Sequence, residues 1–103
     1  MKKKSNIHFA KDIIQREISA LNRTIKRIDA RFEKACEVLN QTSGKVVTIG
    51  LGKSGYIAMK MAATLSSTGT SAVFIHATEA LHGDMGAINK NDTAIIYSNS
   101  GET

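Results

Sequence analysis

The chain contains no proline and no tryptophan, and only 5% of its 103 residues are aromatic. Without proline, nothing in the sequence forces a helix to break or marks a stiff linker. There is one cysteine, Cys36. An internal disulfide is therefore impossible, which agrees with a reducing, cytoplasmic setting. The basic opening Met1-Lys2-Lys3-Lys4 is not followed by an apolar run, so a secretory signal is not expected. No stretch approaches the roughly 20 apolar residues of a membrane span, so no membrane partner is expected. The net charge of +5 is unevenly placed. Residues 1–45 carry eleven Lys and Arg against five Asp and Glu, and residues 46–103 carry three against four. The basic excess lacks the aromatic interleaving or motif of a nucleic-acid surface, so no nucleic-acid partner is expected either.

Residues 1–40 read as a short polar tail and one long packing helix. Ile14, Ile18, Leu21, Ile25, Ile28, Phe32, Ala35 and Leu39 are spaced alternately by four and three, a heptad stripe. An unbroken helix of about 30 residues spans roughly 45 Å, too long for the remaining chain to cover. The stripe predicts a partner for this helix, a second copy or further sequence. Gln41 to Gly44 ends it, with Gly44 as terminator.

Residues 41–103 have a different pattern. Val46, Val47 and Ile49 suit a buried strand, and Gly50, Gly52 and Gly55 follow as a turn opening a helix over about 54–68. Ala72–Ile75 and Thr93–Tyr97 read as further strands, with His76–Asp84 as a loop and short helical turn. Strand, helix, strand, short helix, strand predicts an α/β fold with parallel strands. In such sheets ligands bind beyond the carboxyl ends of the strands. The loops at 50–55, 76–84 and 98–103 fall there, and they hold the chemically promising residues.

Each motif has a competing reading. The glycines at 50, 52 and 55 match the dinucleotide fingerprint in spacing. However, the second strand ends in Phe74-Ile75-His76, without the acidic residue that would hold a ribose. An ATP-type phosphate loop needs a glycine where Val47 stands. What remains is a helix N-terminus with Lys53 beside it, a natural anion site. Ser98, Ser100 and Thr103 surround Gly101 after the third strand. Alone they could be an ordinary polar turn. Beside Lys53 they read as a phosphate cradle, with Glu102 turned away. His82 has the side chain best suited to proton transfer near neutral pH, although a lone histidine is more often structural. His76, Glu79 and His82 are metal-ligand types. His76 and His82 lie about 240° apart on a helix, so only a loop could gather them. No metal is expected, and His82 is the weak candidate for one.

Taken together, Gly52-Lys53-Ser54-Gly55, His82-Gly83-Asp84 and Ser98-Asn99-Ser100-Gly101-Glu102-Thr103 resemble the sugar isomerase (SIS) domain, in particular the D-arabinose-5-phosphate isomerases. The segment Met61 to Thr70 is similar to that subfamily too, and the resemblance covers about residues 35–103. It implies a flavodoxin-like parallel sheet sandwich preceded by a long N-terminal helix. It implies interconversion of D-ribulose 5-phosphate and D-arabinose 5-phosphate through an enediol, without a cofactor, supplying 3-deoxy-octulosonate for lipopolysaccharide or capsule. By position, Lys53 and His82 match the family's active-site lysine and histidine. Ser98, Ser100 and Thr103 match its phosphate loop, with Gly52 and Ser54 beside it. Tyr56 stands where related isomerases often carry histidine. Relatives are typically tetramers, so a homo-oligomer is expected. An intact SIS domain continues past the position of Thr103 with more strands and further catalytic residues, and CBS domains often follow. The chain is therefore expected to be a truncated, N-terminal part of the domain. Two other readings stand beside the isomerase: a regulatory module that binds sugar phosphates without catalysis, and an assembly element driven by the heptad helix.

Overall fold

The computed structural model describes residue 3 and residues 5–101, except the side chains of Asp84 and Met85. Two compact units divide the chain at Ala35 and Cys36.

In the first unit, α1 runs over Asn6–Arg27. Ser5 caps it, its Oγ accepting the His8 N–H at 3.1 Å. Lys26 and Arg27 in the last turn suit the negative end of the helix dipole. The expected single helix is in fact two. Ile28 adopts an extended conformation, and α2 starts at Ala30 and runs to Asn40. Asp29 causes the restart. Its Oδ1 accepts the Arg31 N–H at 2.9 Å, and the Arg31 guanidinium grips the same carboxylate at 2.9 to 3.2 Å. An aspartate that can satisfy a free N–H through its own side chain favours a new N-terminus over a continued helix. The heptad stripe is uncovered: Ile14, Ile18, Leu21, Ile25, Ile28 and Phe32 are 45 to 67% exposed.

The second unit is a three-stranded parallel sheet in the order β2-β1-β3. Its strands are β1 (Val46–Gly50), β2 (Ala72–His76) and β3 (Thr93–Ile96). β1 is central and buried throughout. Alternation along it sends Val47 and Ile49 to one face and Val46 and Thr48 to the other. On the first face Val47 and Ile49 cluster with Ile75 and with Ala80 of α4 (Ala77–Leu81). α3 (Gly52–Ser67) packs on β1 and β2 and buries its small residues Ala58 and Ala62. Thr48 is fully buried, and its hydroxyl donates to the Ala58 carbonyl at 2.7 Å. A buried hydroxyl that found no partner would be costly, so this bond fixes α3 over the strand. Among the described residues, no helix is long and apolar enough to cross a membrane.

The opposite end of the sheet is held by one carboxylate. The buried Asp92 side chain meets the Lys45 ammonium at 2.7 Å. It also accepts the backbone N–H groups of Lys45 and Asn89 at 2.9 and 2.7 Å. Lys45 Nζ donates in addition to the Ala87 carbonyl at 2.9 Å. This set joins the start of β1 to the turn before β3. The Lys45 side-chain hydrogen bond is the main reason that the Asp92 carboxyl titrates at about 2, from an ordinary 3.8. Its folded pKa lies below its unfolded one, so its stabilising contribution is complete above about pH 4 and is lost as pH falls towards 2. Asp92→Asn is expected to lower the melting temperature by several degrees at pH 7. It should also flatten the fall in stability between pH 4 and pH 2. Thermal melts of both proteins across that range check this.

Candidate functional site

The site begins where β1 ends. A Cβ on Gly50 would lie 2.7 Å from the Ser54 carbonyl oxygen and 2.8 Å from the Gly55 nitrogen. The first turn of α3 therefore folds directly over the end of the strand. Leu51 is extended and serves as N-cap without a side-chain hydrogen bond, and Gly52 takes a left-handed φ of 58° that favours glycine. The helix thus starts two residues before the position expected from sequence. The first N–H groups of a helix have no partner inside it. Those of Gly52, Lys53 and Ser54 form the positive end of α3.

The second wall follows β3. The Tyr97 N–H donates to the Ile49 carbonyl at 2.9 Å and carries the ladder one residue past the strand. The chain then curls back: Ser98 Oγ accepts the Gly101 N–H at 2.8 Å, and Gly101 has a φ of 78°. Between the walls lies a cleft of about 390 Å³ lined by Leu51, Lys53, Ser54, Tyr97, Ser98, Asn99 and Ser100. That volume falls in the range of small-ligand sites. Burial pushes the Tyr97 phenol above its ordinary pKa, so at neutral pH it is a proton donor.

The position follows from the topology. β2 lies on one side of β1 and β3 on the other. The connection from β1 leads away to β2, leaving a crevice between it and the loop after β3 at the carboxyl ends of these two strands. Lys53, Ser54, Ser98 and Ser100, four residues expected from the sequence, line it together. The crevice brings together helix N–H groups, an ammonium and hydroxyls, group types that suit an anion.

Other expected residues lie elsewhere. Gly52 lines a smaller pocket of about 130 Å³ on the β2 side, with Gly55, Tyr56, Met59, Phe74 and His76. His82 is exposed at the C-terminus of α4 and is not part of the cleft lining. Thr103 lies outside the described residues. His76, Glu79 and His82 do not come together: among the described residues no three metal-ligand side chains form a group. The sequence reading overlooks Leu51, Tyr97 and Asn99 as lining. The signal for them is position, since each follows the carboxyl end of a strand. The cleft lining includes no carboxylate or imidazole among the described residues. The described lining thus offers groups that suit a phosphate, while proton transfer at carbon would need Lys53, Tyr97 or a group from outside it.

The chain is similar to several known proteins. Arabinose 5-phosphate isomerase KdsD of Pseudomonas aeruginosa is 50% identical over 97 residues, covering 94% of this chain and 30% of the relative. KdsD of Francisella tularensis is 49% identical over 100 residues, covering 94% and 31%. This chain thus spans about a third of the length of these relatives. An Escherichia coli CFT073 protein solved in complex with arabinose 5-phosphate superposes with a TM-score of 0.91 at 47% identity, covering all of this chain and 55% of its own. A Bacteroides fragilis structure gives 0.85 at 38%, covering 96% and 53%. Residues 39–103, with both walls of the cleft, match the SIS domain model, and the chain belongs to that family.

Proposed function

We propose that this chain forms the phosphate-binding part of an aldose–ketose isomerase that interconverts D-ribulose 5-phosphate and D-arabinose 5-phosphate, a supply step for lipopolysaccharide or capsule sugars in the cytoplasm. The observation that carries the proposal is the anion-shaped cleft between β1 and β3. The KdsD relatives and the E. coli complex with arabinose 5-phosphate support the choice of sugar. The phosphate sits at the N-terminus of α3, against Ser98 and Ser100 with Ser54 beside it; the family resemblance adds Gly52 and Thr103 to this set. Lys53 holds the anion and supports the enediolate oxygen. His82 serves as acid or base once the domain is complete. The chemistry is proton transfer between neighbouring carbons, so it needs no redox cofactor.

The groups that line the cleft are those of an anion site, and they would serve equally well in a second reading, a module that binds sugar phosphates without turnover. Two measurements separate these. With D-arabinose 5-phosphate at a hundredfold excess over Kd, a single site should stabilise the chain by about 2.7 kcal/mol in a thermal melt. Joined to the C-terminal remainder of P. aeruginosa KdsD, the chain should catalyse the isomerisation. A shift without turnover would favour the module, and no shift at all would remove both readings.

In the same proposal the uncovered stripe of residues 14–32 packs against further copies of the chain. Sedimentation should then show a species heavier than the 11.1 kDa monomer. Replacing both Ile18 and Ile25 by glutamate should return it to the monomer.

A further inference from the structure

The sequence suggests His76 only as a metal ligand, and the structure assigns it another task. His76 is the last residue of β2, in register with Gly50 of β1, so the sheet holds it at the same end as the cleft. It is the N-cap of α4, and its Nδ1 accepts the Thr78 N–H at 3.2 Å. The Thr78 carbonyl in turn accepts the His82 N–H at 3.2 Å. One short path thus runs from the β2 backbone through the His76 ring and Thr78 to His82. The ring is half-buried and set edge-on to Phe74, with centroids 6.4 Å apart at 89°.

We propose that His76 is a positioning residue: its neutral ring, protonated on Nε2, fixes α4 and thereby the backbone that carries His82. Nδ1 can accept the Thr78 N–H only when it bears no proton. The single ring proton is then on Nε2; the residue lines the small pocket with Tyr56 and Met59. α4 has five residues, so it is too short to persist on propensity and depends on its ends. A second proton on the ring would turn Nδ1 into a donor facing another donor, and the cap would be lost. Among the described residues, the other titratable side chain lining the pocket with His76 is Tyr56 of α3, and Glu79 lies in the first turn of α4. β1 offers only Gly50. Asparagine is the natural replacement, since it caps helices well and does not titrate.

The relevance to turnover rests on the isomerase reading, but the cap does not, and it is tested on this chain without substrate. Nitrogen-15 spectra of the imidazoles at neutral pH should show His76 with the proton on Nε2 and bare Nδ1. In His76→Ala, amide exchange at Thr78 and His82 should be roughly fivefold faster than in the parent chain, a typical cost of a lost cap. In His76→Asn it should stay within about twofold of the parent. A His76 ring protonated on Nδ1, or Thr78 and His82 amides that exchange no faster in His76→Ala, would overturn the assignment. Either result would leave the phosphate cleft unaffected, so it is distinguishable from failure of the isomerase reading.

Discussion

Gly50→Ala is expected to destabilise the second unit by about 1–3 kcal/mol, the usual cost of forcing atoms into a packed site. For a domain of this size that corresponds to a fall in melting temperature of roughly 4–8 °C per kcal/mol. The new methyl would meet backbone atoms of Ser54 and Gly55 at 2.7 and 2.8 Å, and backbone cannot rotate away as a side chain can. The first turn of α3 would have to lift off the strand. That turn presents the free N–H groups to the cleft, so the stabilisation by D-arabinose 5-phosphate should disappear along with the stability. Gly86→Ala is the control. Among the described residues, no atom beyond its chain neighbours and its own helix turn lies within 4 Å of its Cβ position, and the melt should change by less than about 0.5 kcal/mol. If Gly50→Ala melts like the parent chain, the turn is looser than the structure shows and the account of the site fails with it.

The second large effect concerns binding alone. Lys53 is exposed at the rim of the cleft, so Lys53→Met should leave the unliganded melt unchanged. In the proposed site it removes a charged donor to the phosphate. A hydrogen bond to a charged group contributes about 1.5–3 kcal/mol, so affinity for D-arabinose 5-phosphate should fall by roughly tenfold to more than a hundredfold. The parent's affinity should weaken as salt is added, and the variant's should weaken less, because one charge fewer is screened. Isothermal titration at two ionic strengths reads both effects. Equal affinity of the two proteins would place the anion elsewhere. Loss of affinity with an altered unliganded melt would mean that Lys53 supports the fold.

Much of the second unit was legible in the sequence. The β-branched residues around 46–49, the alternation of strand and helix and the three glycines were enough to place β1, β2 and β3 within one or two residues of their observed limits. Lys53, Ser54, Ser98 and Ser100 could be assigned to one end of the sheet because a parallel fold puts every loop after a strand at the same edge. The first unit was less legible. The heptad spacing runs through Ile28 without interruption, yet the helix breaks there. Periodicity records which face is apolar and carries no information on whether an aspartate will cap a new helix with its own side chain, as Asp29 does.

By itself, then, the sequence determined the chemistry on offer: a lysine at a glycine-rich helix start, hydroxyls after a strand, a stripe of apolar side chains, and one cysteine. Local spacing and residue type suffice for these because each depends on neighbours within a few positions. Only the tertiary structure decided which groups share a cleft. The order β2-β1-β3 sets Lys53 and Ser98 across a single crevice and leaves His82 outside its lining. It also brings Asp92 to Lys45, 47 positions apart in the chain. Such pairings come from strand order and the packing of helices on the sheet, and they arise between residues far apart in the chain.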